Sequence, residues 1–246
     1  MTGWLAVFKR ELAGYFATPV AYIFIVVFLV LTGVFTFAEE FGNWYQRGQA
    51  DLYPFFMFHP WLYLFLIPAV SMRLWSEERR GGTVELLMTL PITPWAAVVG
   101  KFLAAWAFTG LALALTLPLW ITANVLGNPD NGTVLAAYIG SLLMAGAFLA
   151  IGACMSATSK SQVVAFVLTT VTCFAILMAG YPLVQDALAS WMPGVISETI
   201  AGLSFLTRFD AISKGVLSLA DLAYFASLIG VALAINAVVV EMKKAV

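Results

Sequence analysis

The chain has 246 residues, of which 62% are apolar and only 10% are charged, and its formal net charge is −1. Soluble domains carry roughly 45–50% apolar and about 25% charged residues, so this chain has too few charges to cover a water-facing surface. The mean hydropathy of +0.96 indicates a lipid-facing surface, and the lack of a basic excess argues against a nucleic-acid partner.

The first predicted element is an interfacial amphipathic helix over residues 2–16, lying along the cytoplasmic leaflet. Glu11 falls beside the apolar side chains of this helix, so we expect it to have a basic partner, with the loop after the second span as the candidate source. The residues of the apolar face are Trp4, Phe8, Leu12 and Tyr15.

Six uncharged apolar stretches are long enough to cross a bilayer core, which requires about 20 residues in a helix. Their length and their lack of strict alternation favour helices over barrel strands. The chain is therefore predicted to be an all-α, polytopic membrane protein with a single membrane domain over residues 1–246. The predicted spans are residues 20–38, 55–72, 102–123, 134–158, 163–184 and 222–240. Small residues in the fourth span predict close packing between helices.

Two segments between the spans are predicted to lie outside the bilayer core. Residues 76–95 form a polar loop. Residues 185–221 are too apolar to be simply solvated and are predicted to form short helices on the outer interface, before the last span.

The distribution of lysine and arginine predicts the orientation. With the N-terminus in the cytoplasm, nine of these residues fall on the inside and three on the outside, while eight of the thirteen acidic residues fall outside. By the positive-inside rule, both termini are cytoplasmic in an inner (plasma) membrane.

The most informative motif lies in the first cytoplasmic loop, where residues 77–91 read Glu-Glu-Arg-Arg-Gly-Gly-Thr-Val-Glu-Leu-Leu-Met-Thr-Leu-Pro. The pattern predicts a charged end to the second helix, a break at Gly81-Gly82, and a short amphipathic helix that begins at Thr83 and ends before Pro94. Such a helix, held between two spans, is suited to receive a push from a cytoplasmic partner. The alternative is an ordinary loop whose charges only set the topology.

This motif, with Gly-Lys following Pro91 by nine residues, resembles the first cytoplasmic loop of ABC-2-type permeases, the type V exporters among ATP-binding-cassette (ABC) transporters. Residues 9–11 and 19–23, and the closing residues 215–225, are similar to the branch associated with gliding motility and nitrous-oxide-reductase maturation. The resemblance covers nearly the whole chain.

The resemblance implies a permease subunit that forms a homo- or heterodimer and binds cytoplasmic ABC ATPase subunits. It places Glu11 in the connecting helix, where it would form an ion pair. It implies a coupling helix and its approach made of Glu77, Glu78, Arg79, Gly82, Thr83, Glu85, Leu86 and Leu87.

The chain itself is not predicted to be an enzyme or to bind a cofactor. Gly100-Lys101 is followed by Phe102, and Trp95 stands where a P-loop would need its first glycine, so a phosphate cradle is lacking. ATP and Mg²⁺ would therefore be bound by a partner chain. Cys154 and Cys173 lie in apolar runs without a CxxC pattern, which is typical of buried, inert thiols.

Three hypotheses for function follow. The first is a permease that exports a substrate, and the lack of charge in the spans favours an amphipathic, lipid-like or polymeric one. The second is a mechanical or assembly subunit that uses the same ATPase, carries nothing across, and has a periplasmic protein as a further partner. The third is a membrane enzyme or metal site using Glu39, Glu40, Asp51 and His59, although His59 beside Pro60 and Trp61 is predicted to lie at the outer interface.

Overall fold

The structure, a computed structural model, describes residues 3–83 and 92–243, and every regular element within these ranges is a helix. The predicted all-α class is confirmed. The helices are α1 (Gly3–Phe16), α2 (Pro19–Phe37), α3 (Tyr53–Phe56), α4 (His59–Ser71), α5 (Arg73–Gly81), α6 (Pro94–Ala114), α7 (Leu117–Leu126), α8 (Asn131–Thr158), α9 (Gln162–Met178), α10 (Pro182–Ala189), α11 (Gly194–Gly202), α12 (Phe205–Ser213) and α13 (Leu219–Met242).

In this part of the chain, five helical segments are long and apolar enough to cross a membrane, or six if one bent pair counts as a span. This confirms a multi-pass membrane protein. The five are Pro19–Phe37, Tyr53–Gly81, Pro94–Leu126, Asn131–Thr158 and Leu219–Met242. The predicted fifth span is not straight, because α9 and α10 meet at an angle of 68°. The sequence Gly180-Tyr181-Pro182 causes the bend: proline cannot donate the backbone hydrogen bond that would continue α9.

The third span begins earlier than predicted. Pro94 opens α6, where its missing N–H costs nothing. The Thr93 hydroxyl caps this helix by accepting a hydrogen bond from the backbone N–H of Ala96 at 3.2 Å. Gly100 and Lys101 therefore lie inside a continuous helix and not in the preceding loop.

Helix α8 forms the centre of the bundle and packs against α4, α5, α6, α9, α12 and α13. Its most apolar stretch is 78% buried, whereas the corresponding stretches of α2 and α13 are only 28% buried. Glycines permit this close packing: a Cβ on Gly140 would lie 2.5 Å from the Ile212 side chain, and one on Gly146 would lie 3.0 Å from the Trp106 indole. The predicted role of the small residues in the fourth span is confirmed.

Helix α1 packs along α6. A Cβ on Gly100 would lie 2.8 Å from the Val7 Cβ, so this glycine allows the two helices to approach closely. The Tyr15 ring stacks on Phe108 with 4.9 Å between centroids. The apolar face of α1 is thus partly covered by protein, which fixes the position of this helix relative to the bundle.

Candidate functional site at the junction of α1, α5 and α6

Helix α5 continues the second span beyond the apolar core, and a side chain from another helix stabilises its start. The Ser156 hydroxyl of α8 accepts hydrogen bonds from the backbone N–H groups of Trp75 and Ser76 at 3.0 and 3.1 Å, and donates to the Met72 carbonyl at 2.7 Å. The first N–H groups of a helix lack partners within the helix. Ser156 therefore caps α5 from outside and holds the break between α4 and α5 against α8.

The end of α5 lies where the sequence predicted it. Gly82 has φ 68°, a left-handed conformation that glycine adopts without strain, and it ends the helix. The Arg79 guanidinium donates to the Ala157 carbonyl at 2.6 Å, and the Thr83 hydroxyl donates back to the Glu78 carbonyl at 3.3 Å. The predicted coupling residues Glu85, Leu86 and Leu87 lie outside the described residues.

Four charged side chains from three helices meet beside this end of α5. Lys101 Nζ lies 3.1 Å from Glu11 Oε1 and 3.0 Å from Glu78 Oε1. An Arg10 nitrogen lies 2.6 Å from Glu11 and 3.4 Å from Glu78. We call Arg10, Glu11, Glu78 and Lys101 the charged cluster. It joins α1, α5 and α6 at one point.

Lys101 is the buried centre of the charged cluster. Its side chain is only 3% exposed, and its ammonium lies 5.2 Å from the centroid of the Trp75 ring. A cation this buried requires compensation, which the two carboxylates and the ring supply.

Glu11 remains ionised in this setting. Burial raises the pKa of Glu11, but the charge of Lys101 and hydrogen bonds from Arg10 and Lys101 outweigh it, and the net pKa is lowered. Because the folded-state pKa is lowered, this pairing contributes stability above the ordinary carboxyl range. The contribution is lost as the pH falls through the lowered pKa.

Glu11, for which a basic partner was expected, contacts two basic side chains. One is Lys101, which lies in α6 after the predicted loop of residues 76–95, and the other is Arg10 of α1. Glu77 instead pairs with Arg73 at 3.1 Å, one turn away on α5, and is 55% exposed. A lone lysine early in an otherwise apolar helix was the available signal for Lys101.

His59, predicted at the outer interface, is not exposed at the surface of the bundle. Its side chain is fully buried within the chain, in a cage of aromatic rings, and both ring nitrogens lack a hydrogen-bond partner among the described residues. The nearest ring centroid is that of Phe55, at 4.6 Å. The other rings of the cage belong to Phe28, Phe56 and Tyr63.

Replacing His59 with phenylalanine is expected to leave the free energy of unfolding unchanged or raise it by about 1 kcal/mol, because two buried nitrogens without partners are removed. Thermal unfolding of the purified variant in detergent measures this. His59→Ala is the control and is expected to destabilise the chain by opening a cavity. Unfolding of His59→Phe at a markedly lower temperature would mean that the imidazole has a partner.

The acidic residues of the third hypothesis do not gather around His59. Glu39 accepts a hydrogen bond from Gln46 at 2.5 Å, within the loop after α2. Within residues 3–83 and 92–243, no three His, Cys, Asp or Glu side chains are grouped closely enough to hold a metal ion. Cys154 and Cys173 are unpaired and buried.

A helical bundle with five or six candidate membrane-crossing segments, and a charged junction of three helices at one end, defines a polytopic helical membrane protein. The family described as ABC-2 family transporter protein matches residues 6–242, and the chain belongs to this family. The family supplies membrane components of ABC transporters, and membership implies association with an ABC ATPase. No curated protein matches the chain.

Proposed function

We propose that the chain is the permease subunit of a type V exporter. In this proposal a separate cytoplasmic ATPase binds residues 76–95, and its hydrolysis of ATP drives export or conformational work. The observation that carries the proposal is the charged cluster. Lys101, seven residues into α6, pairs with Glu78 near the end of α5, so the two helices that flank residues 84–91 are tied together.

The same contacts give a route for force into the bundle. Glu11 and Glu78 share the buried Lys101, so a displacement of α5 is passed to α6 and α1 together. Ser156 and Ala157 of α8 hold the two ends of α5 through hydrogen bonds to Trp75 and Arg79. A push on residues 76–95 would thus reach α8, the most buried helix.

The proposed orientation places both termini in the cytoplasm of an inner membrane. Its support is that α5 and the end of α13 lie at the same end of α8. Arg79 donates to the Ala157 carbonyl, and Lys243 donates to the neighbouring Thr158 carbonyl at 2.9 Å. The basic residues that favour the cytoplasm are therefore grouped in space as well as in sequence.

The proposal includes a second permease subunit, identical or not, and lipid as the remaining surroundings. Helices α2, α9 and α13 offer the exposed apolar surface that either would cover, with Ile23, Val163 and Val238 at 60%, 70% and 55% exposure. ATP and Mg²⁺ would be held by the ATPase. The similarity to the gliding-motility and nitrous-oxide-reductase branch is part of this proposal.

A mechanical or assembly subunit, with a periplasmic protein as partner, is the second candidate. It is favoured because the two buried charged side chains in the described residues are both paired. Lys101 is paired with Glu11 and Glu78, and Asp221 with Arg208 at 2.9 Å. Paired charges near the ends of spans do not provide the free polar groups that a small hydrophilic ion would need.

The test is a double substitution in the proposed coupling helix, Glu85→Arg with Leu86→Asp. We expect membrane insertion to be retained and co-purification of the ATPase to be lost, because the change reverses one charge and places another on the apolar face. Both are measured by affinity purification of the tagged chain from mild detergent, with ATP hydrolysis assayed.

The matched control is Glu198→Arg with Val195→Asp on α11, where Val195 is 76% exposed. This pair has the same chemistry away from the charged cluster and is expected to leave ATPase recovery unchanged. Normal ATPase recovery with the Glu85 and Leu86 variant would refute the coupling assignment. Loss of recovery in both variants would show that the effect is not specific to residues 76–95.

A further inference from the structure

An apolar cleft lies between α1, α2, α4 and α6, beside the charged cluster. Its cavity volume is about 170 Å³. Its walls are Phe24 and Val27 of α2, Leu66 and Ala69 of α4, and Phe108 of α6. Apart from the end near α5, where Arg73 lies, the lining is almost entirely hydrocarbon.

The cleft opens sideways through α2. Val20, Ile23 and Val27 line it and are 48%, 60% and 36% exposed. Helix α2 has the highest mean hydropathy of the candidate spans, 2.6. A membrane-crossing helix of this kind presents its exposed side chains to acyl chains, so the cleft is open to the hydrocarbon of the bilayer.

A second, polar space with a cavity volume of about 350 Å³ adjoins the α5 end of the cleft. The two spaces share Tyr15, Thr18 and Arg73 as lining residues, so they lie side by side. The polar space lies between α1 and α5, at the level where apolar α4 gives way to charged α5. An apolar cleft beside a charged chamber at this level has the polarity profile of a phospholipid.

The charged side chains that line the chamber determine which phospholipid headgroup it would bind. Lys101 and Arg10 are committed to Glu11 and Glu78 in the charged cluster. Arg73, with its side chain 30% exposed, has only the exposed i,i+4 pair with Glu77 among the described ion pairs. An exposed pair of this kind contributes about 0–1 kcal/mol, so its members exchange partners readily. The chamber thus offers one cation and one anion side by side.

We propose that the joined cleft and chamber bind one phospholipid whose headgroup carries both a phosphate and a primary ammonium, as phosphatidylethanolamine does. One acyl chain fills the cleft, Arg73 binds the phosphate and Glu77 binds the ammonium. A headgroup with a phosphate alone would take Arg73 from Glu77 and leave this carboxylate beside the phosphate without a cation, and like charges at this distance disfavour it. The chamber shares Glu77 and the charged cluster with the proposed ATPase coupling. Lipid retention is measured on the chain without the ATPase, so its failure is distinguishable from a failure of the coupling.

The test measures lipid retention by the full-length chain in detergent. The protein is delipidated, dioleoyl phosphatidylethanolamine or dioleoyl phosphatidylglycerol is added, and retained lipid is counted by native mass spectrometry. We expect one molecule of the ethanolamine lipid to bind at least about tenfold more tightly than the glycerol lipid. Equal binding of the two lipids would overturn the proposed headgroup recognition.

Three variants locate the site. Ala69→Phe, which fills the cleft, and Arg73→Gln, which removes the phosphate partner, are each expected to weaken retention of the ethanolamine lipid about tenfold. Glu77→Gln is expected to abolish the preference between the two lipids while leaving the glycerol lipid bound at least as well as before. Retained binding of the glycerol lipid distinguishes a change of headgroup recognition from a failure to fold.

The matched control is Ala107→Phe. Ala107 lines a different apolar groove, between α1, α6 and α8, which has no charged residue in its lining. It is expected to leave lipid retention unchanged. Wild-type retention by Ala69→Phe, or an equal loss in Ala107→Phe, would place the bound lipid elsewhere on the surface and overturn the proposal.

Discussion

Replacing Lys101 with methionine is expected to lower the free energy of unfolding by about 3–5 kcal/mol, the usual cost of removing one partner from a buried ion pair. Methionine keeps the aliphatic stem but leaves Glu11 and Glu78, whose side chains are only 20% and 19% exposed, without their shared cation. Arg10 still contacts both carboxylates, but its side chain is 52% exposed, so it compensates their charges less than the buried Lys101 does. Thermal and denaturant unfolding of the purified variant in detergent measure the loss.

Two comparisons separate the charged cluster from a general effect of losing a charge. Arg80→Met on the exposed side of α5 is expected to change stability by less than about 0.5 kcal/mol. The triple variant Glu11→Gln, Lys101→Met, Glu78→Gln is expected to recover most of the stability, because the two carboxylates that lost their buried cation are gone. If Lys101→Met were as stable as the Arg80 control, the ion pairs would not hold α1, α5 and α6 together.

Replacing Ser156 with alanine is expected to cost about 2–4 kcal/mol, since it leaves the backbone N–H groups of Trp75 and Ser76 buried without partners, at about 1–3 kcal/mol each. Trp75 and Ser76 are 1% and 0% exposed, so water cannot replace the lost hydroxyl without opening the packing. Hydrogen exchange is the most direct measurement. In the Ser156→Ala variant, the amides at the start of α5 should exchange faster than those in the middle of α8.

Ser190→Ala is the control for this variant. The Ser190 hydroxyl makes one local bond, to the Ala187 carbonyl at 2.6 Å, on the surface. Its loss should change stability by no more than about 0.5 kcal/mol. Equal effects of the two serine variants would argue against the cap between α8 and α5. Under the proposed function, Ser156→Ala should also reduce transport-linked ATP hydrolysis, because α5 would no longer be fixed to α8.

Much of the fold could be predicted from the sequence because the lipid environment restricts which backbone structures can cross it. Backbone groups in hydrocarbon must be paired within the segment, so long uncharged apolar runs form helices. This determined the all-α class and the approximate positions of the spans. Gly81-Gly82 likewise fixed the end of α5, since the left-handed conformation at Gly82 is a local property of the chain.

The charged cluster depended on tertiary structure, although its members were visible in the sequence. Glu11, Glu78 and Lys101 are separated by up to 90 residues, and only the packing of α1 along α6 brings them together. Because α1 and α6 approach closely at Gly100, the partner of Glu11 is Lys101 and not a residue of the loop after the second span. Hydropathy does not report which helices pack together, and it began the third span at residue 102, which left Lys101 just outside that span.

Hydropathy and local signals by themselves determined that this is a multi-pass helical membrane protein, and where its spans lie approximately. Tertiary structure decided the burial of His59, the partner of Glu11 and the capping of α5 by Ser156. The physical reason is the range of the forces. The free energy of transferring a helix into lipid is a sum over residues that are neighbours in the sequence. Burial and ion pairing depend instead on which helices pack against each other.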